Sequence, residues 1–289
     1  MMSNHLIICL IVLQASCNPG ESSTSQTTVT AEQLLADMAT GNPVAYRDMT
    51  IEGDVNLTHV GTAQLTPGTL LATINAPLYF ERCQFTGKII GFEHHGDTVR
   101  IARFTSAVSF QNCRFEDEVD LRGGTFDHHL YLNTSLFDQQ VQMQAVRIGG
   151  DLRLEKAVFS GDFLLQEAVI KGSCWAKEAS ILGQFSVQQA DFWQNAVFAG
   201  MSVQGYADFG LAHFRQSAFF EYGKYSDRVN YSGAIFRHRA EWTKAHFEKD
   251  VDLRNSWFSI KPVFSGVVKN DSINLGGARF DGGGPDNEP

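Results

Sequence analysis

The residue types able to do chemistry fall into a few small groups. His94, His95 and Asp97 share one short segment. Two imidazoles beside a carboxylate there could ligate a transition metal or shuttle protons. Adjacent histidines on a loop usually point apart, so a solvated loop is the plainer reading. His128 and His129 follow the acidic stretch Glu116, Asp117, Glu118 and Asp120, at a point where polar residues are expected anyway. His238, Glu241, His246 and Glu248 do not converge on any regular geometry. Outside Cys9 and Cys17 the cysteines are Cys83, Cys113 and Cys174, with no CxxC pair, which argues against a structural zinc site. No catalytic residue, no metal site and no cofactor is expected.

Two series step by a constant 22 residues. Asp208, Asn230, Asp252 and Asn274 form one; stacked, they make a polar ladder that a cation could bridge, or one held by amide and carboxylate stacking without metal. Tyr131, Arg153, Trp175, Val197 and Phe219 form the other. Stacked at strand spacing, these make an outward, largely aromatic stripe roughly 20 Å long. Such a patch either serves as a surface for a partner or a second copy, or merely stabilises a parallel wall.

The element that stacks residues 22 apart is a repeat of period eleven. From Phe104, steps of six and five alternate through Phe110, Phe115, Leu121, Phe126, Leu132 and Phe137 as far as Phe258 and Phe264. Ala176 is the one position in that walk that is not large and apolar. Two residues before each five-step position stands a mostly small residue, such as Ala157, Ala168, Ala179 or Ala190. Residues i and i−2 share a face of a strand, so each unit sends one large and one small side chain inward before turning a corner. A helical period of 3.6 cannot do this.

The recurring A-x-F unit, at Ala102-Arg103-Phe104, Ala190-Asp191-Phe192, Ala212-His213-Phe214, Ala245-His246-Phe247 and Ala278-Arg279-Phe280, resembles the pentapeptide-repeat family. The resemblance covers about 44–281. It implies an all-β fold, a right-handed, four-sided parallel β-helix of about 22 residues per coil, with the extra residue of each eleven in two of four corners. About eight coils are expected. Where Ala176 leaves volume empty, Phe163 and Phe185 are placed to fill it from the opposite wall. Both ends of such a rod need cover. Thr30 followed by AEQLLADMAT and Gly41 predicts a capping helix within 31–43. At the other end Lys269 stands where a core residue is due, and 282–289 is expected to be disordered.

Between Phe85 and Phe104 the spacing is nineteen, so 91–99 is expected to be a loop pushed out of the wall. Allowing for it, Cys83 and Cys113 stack in adjacent coils, as a disulfide or as two small reduced core residues.

The N-terminus carries an apolar run, Leu6 to Leu13, then Ala15 and Ser16 before Cys17. This resembles a bacterial lipoprotein leader, with 1–16 as signal peptide, Cys17 lipidated and 17–30 a Ser/Thr-rich tether. The implied location is the bacterial cell envelope, anchored by lipid. Net charge is −9 with the signs interspersed, and no basic cluster marks a nucleic-acid partner. The expected role is a non-enzymatic, envelope-anchored scaffold, meeting an envelope protein or itself through the aromatic face. Two alternatives are a polysaccharide-binding or polysaccharide-active β-helix, and an acidic DNA mimic acting on a topoisomerase.

Overall fold

The computed structural model describes residues 27–282; the leader, Cys17, most of the tether and 283–289 lie outside the described residues. Four parallel sheets wind as a right-handed solenoid around one apolar core. In one coil, wall I is Leu130–Tyr131, wall II Leu136–Phe137, wall III Val141–Gln142 and wall IV Arg147–Ile148. Register pairs Leu130 with Leu152 and Leu136 with Val158, the 22-residue step expected from the period. The walls hold 9, 11, 10 and 12 strands in that order. The rod is thus longer than eight coils, because the first coils carry insertions that hide their period.

Each wall is short because only three residues lie between corners: small or medium inward, variable outward, large inward. Leu130 and Leu132 are buried while Tyr131 between them is half-buried. The inward rings stack along the axis. Phe85, Phe115, Phe137 and Phe159 follow one another in wall II at 4.7–4.8 Å between centroids, and Phe192, Phe214, Phe236 and Phe258 in wall IV at 4.8–5.1 Å. Ala176 is buried in wall I, and Phe163 and Phe185 point inward from wall III opposite, so the core keeps its volume.

The two corner types divide the six–five alternation. The short corners, I to II and III to IV, put one residue in the left-handed region, such as Thr134 (φ 55°), Leu211 (φ 57°) and Tyr222 (φ 57°). The long corners, II to III and IV to I, take the extra residue. There, side chains tie successive coils: His129 Nδ1 accepts from Asp151 N–H at 2.9 Å, Asp151 from Ser173 N–H at 2.9 Å, and Asp162 from Gln184 N–H at 2.8 Å.

The segment 91–99 is not a loop. Phe92–His95 and Thr98–Phe104 form a β-hairpin turning at Gly96 (φ 57°), with Phe92 opposite Ile101 and His95 opposite Thr98. A second hairpin, unforeseen from the sequence, pairs Thr62–Thr66 with Thr69–Ile74 and stacks parallel beneath the first, Thr69 on Val99 and Ile74 on Phe104. Strand-strand pairing satisfies the inserted backbone, so wall IV grows a four-stranded leaf. Glu93 pins it by accepting from Asn56 Nδ2 at 2.8 Å and Thr58 Oγ1 at 2.6 Å.

The capping helix spans Ala31–Ala39. Thr30 accepts from Gln33 N–H at 3.2 Å, and Leu34 and Met38 are buried against the first coil. The tether ends sooner than expected: Thr27–Thr30 is a strand lying parallel on Met49–Glu52 of wall II. At the opposite end Lys269 pairs with Phe247 in register, and Phe264, Ile273, Leu275 and Phe280 are only partly buried.

Candidate interaction faces

Wall I carries the aromatic stripe. Tyr131, Arg153, Trp175, Val197 and Phe219 are successive register partners on its outer surface, preceded by Tyr79 and Ser109 and followed by Glu241. The stripe is less exposed than an apolar patch should be: all five are half-buried. Arg153 explains this at the lower end. Its guanidinium lies 5.8 Å from the Tyr131 ring centre and 5.6 Å from that of Trp175, with Asp151 and Glu155 each 3.6 Å away on either side. His129 stacks on Tyr131 as well, centroids 5.5 Å apart. The lower part is therefore a cation–π pillar with its own counter-ions, and Val197 and Phe219 are its apolar continuation. Beside Phe219, burial and then the nearby Glu241 raise the Glu221 carboxyl above the ordinary range.

Wall III holds the polar ladder. Asp208, Asn230, Asp252 and Asn274 stack in register as expected. Asn230 donates to Asp208 at 2.8 Å, and each side chain also accepts the backbone N–H two residues on, at 2.8–3.0 Å. These local turns engage one oxygen of each side chain and hold the column in place by side chain–backbone bonds.

The histidines stay apart. His94 and His95 are exposed on an edge strand, where successive side chains face opposite sides. His128 is exposed, while His129 serves the corner bond already described. The acidic residues near them are engaged elsewhere: Glu118 with Lys88 at 3.0 Å, Asp120 with Arg122 at 2.6 Å and Glu116 with Arg114 at 4.0 Å. Among the described residues no group of three His, Cys, Asp or Glu side chains is placed to hold a metal.

Cys83 and Cys113 do lie in adjacent coils, since Arg114 N–H bonds Cys83 O at 2.9 Å. Both are buried free thiols. Cys113 beside it lowers the Cys83 thiol from its ordinary range, while the neighbouring Cys83 and burial push Cys113 up. Cys174 is buried alone in wall I, and burial pushes its thiol up.

One face was missed. At the wall IV to wall I corner, Lys171, Trp193, Arg215 and Arg237 occupy one column, again 22 residues apart. No local run of sequence shows a basic cluster, but this period gathers one. Stepping by 22 through the cations, rather than only through the aromatics, would have found it.

Comparison of the chain with protein-family models, with curated proteins and with solved structures finds no match.

Proposed function

We propose that this chain is a non-catalytic pentapeptide-repeat protein, held at the bacterial envelope through a lipidated Cys17, whose rigid rod presents wall I to a protein partner or to a second copy of itself. The observation that supports this reading is the register of the stripe. Val197 and Phe219 continue the Tyr131–Arg153–Trp175 pillar along one straight wall, so an apolar strip of fixed geometry lies next to ionic groups that can orient a partner. A stacked wall holds these side chains in place before binding, which lowers the ordering cost of association.

The test is Val197→Ser with Phe219→Ser. Neither side chain enters the core, so the fold should persist while self-association, read by sedimentation, or capture of an envelope protein by cross-linking falls. An unchanged association state and cross-linking pattern would remove wall I as the binding surface. Separately, Cys17→Ser should move the protein from the membrane to the soluble fraction, since multiple acyl chains hold firmly; identical fractionation would end the lipoprotein reading.

A further inference from the structure

The wall IV corner column is a cation ladder on an otherwise acidic rod. Lys171 and Arg215 lie over the same Trp193 ring, at 5.9 and 4.5 Å from its centre. Trp193 is 40 % exposed and is fixed by its indole N–H donating to Asp191 at 2.9 Å. Arg215 grips the same carboxylate with two bonds of 2.7 and 2.8 Å. Arg237 stacks in the next coil, donating to His213 and lying 5.8 Å from the Trp257 ring centre. Below Lys171, the corner residue is Gly149, whose added Cβ would come within 2.3 Å of Asp127 O. The column is therefore empty at that level, and exposed Arg147 stands beside the gap.

Asp191 is the carboxylate within the column and the wall IV series beside it from Arg147 to Arg237, and its bonds go to Arg215 and Trp193. Asp151 at the foot of the corner faces His129 and Arg153. Among the described residues, Arg147, Lys171 and Arg237 form no ion pair with a carboxylate, whereas most other arginines do. Stacking Arg237 on Arg215 at strand spacing, about 4.8 Å, brings like charges together at a cost that an anion would offset.

We propose that this column binds a linear anionic polysaccharide, one bearing carboxylate or sulfate groups along its chain. Lys171, Arg215 and Arg237 lie in one column parallel to the rod axis, with Arg147 on the adjoining wall IV series at its lower end, and together they extend over roughly 20 Å. A compact anion would touch only one or two of them, while an extended chain meets them all. Lys171 and Arg215, whose Nη1 is left over because Asp191 takes Nε and Nη2, stand two coils or roughly 10 Å apart, which suits the repeat of a linked disaccharide. A nucleic acid fits less well. Lys171 and Arg215 occupy the faces of Trp193 that bases would stack on, and the rest of the acidic rod would repel a duplex much wider than the column. This surface is distinct from wall I and its binding does not depend on the role proposed for that wall.

The test uses the full-length protein in detergent and polygalacturonate, a uronic-acid polymer, as probe, at low and high salt. Dextran serves as neutral control and a single-stranded oligonucleotide as the competing polyanion. Binding should appear with polygalacturonate at low salt and fade as salt rises. Lys171→Glu with Arg237→Glu should weaken it about tenfold, while Lys224→Glu with Lys244→Glu, the same charge change on walls and corners away from the column, should leave it within about twofold. If the reversal variant does not fold, Lys171→Gln with Arg237→Gln gives the same comparison without new charge. No binding to polygalacturonate, equal loss in both double variants, or tighter binding of the oligonucleotide would each overturn the proposal.

Discussion

Arg237 Nε donates to His213 Nε2 at 2.7 Å across adjacent coils of wall IV, so that imidazole must be neutral for the bond to exist. Burial lowers the His213 pKa below the ordinary 6.5, Asp191 works against this, and Arg215 and Arg237 add to it. The unfolded chain then binds more protons between the two values. Stability from this site is complete above about pH 6.5 and is lost as pH falls through the lower folded value. Urea midpoints between pH 5 and 8 should show this slope in the parent and a flatter one in His213→Gln. If the slopes coincide, the pair does not govern the acid limb.

Core and surface histidine positions should separate cleanly. Phe192 is buried between Phe198 and Phe214 rings, and Phe192→Ala should cost about 3–5 kcal/mol. His94→Ala, His95→Ala and His128→Ala should each stay within about 0.5 kcal/mol. His129→Ala removes the acceptor for Asp151 N–H and should cost about 1 kcal/mol. Denaturant midpoints order the three classes of outcome, and a costly His94 or His95 would assign the leaf a structural role it lacks here.

Leu211 sits at a short corner with φ 57° and is 54 % exposed. A side chain in that region is strained, and little contact compensates for it. Leu211→Gly should therefore stabilise the rod by about 0.5–1 kcal/mol, net of the extra chain entropy of glycine. Gly233, one coil on in the same column, has φ 66° and a would-be Cβ 2.7 Å from Leu211 Cδ2. Gly233→Ala should destabilise, and more in the parent than in the Leu211→Gly background, which thermal melts of the four combinations would reveal.

Glu221 has a raised pKa because burial disfavours its charge, so ionisation at neutral pH works against the folded state. Glu221→Gln should raise the melting temperature at pH 7 and change it little at pH 4, where the parent carboxyl is already protonated. A gain equal at both pH values would trace instead to packing.

Cys83 and Cys113 should be the first thiols to couple under a mild oxidant such as diamide, because a low thiol pKa supplies the attacking thiolate. Peptide mass mapping should find Cys83 joined to Cys113 and Cys174 unmodified. A mixed pairing involving Cys174 would contradict the stacking.

From Phe104 to Phe264 the large residues at six–five spacing identified the coil, the inward faces and the stacking partners of the wall residues, because burial imposes a strict period on one side of each strand. The hairpins escaped for the opposite reason. Ala63, Leu65 and Thr66 of one hairpin are exposed, and Phe92–His95 of the other is at most half-buried, so no core period shows in them. The stripe on wall I was legible as a column, yet its exposure was not, since that depends on Arg153 lying flat between two rings. The cation ladder was visible only as residues 22 apart, with charges far from one another along the chain and adjacent on the rod.

The corners have a further consequence for how this rod could change length. A segment of 22 residues, such as one beginning at a corner and ending at the equivalent corner above, can be gained or lost with every outer column still continuous. A segment of eleven would close just as well inside, since large and small inward residues alternate identically, but everything beyond the junction would be turned half a revolution. Wall I would continue as wall III and the cation ladder would emerge on the opposite side. The core is thus indifferent to a shift that scrambles the surface, and any pressure that holds the columns in phase must act through what touches them from outside.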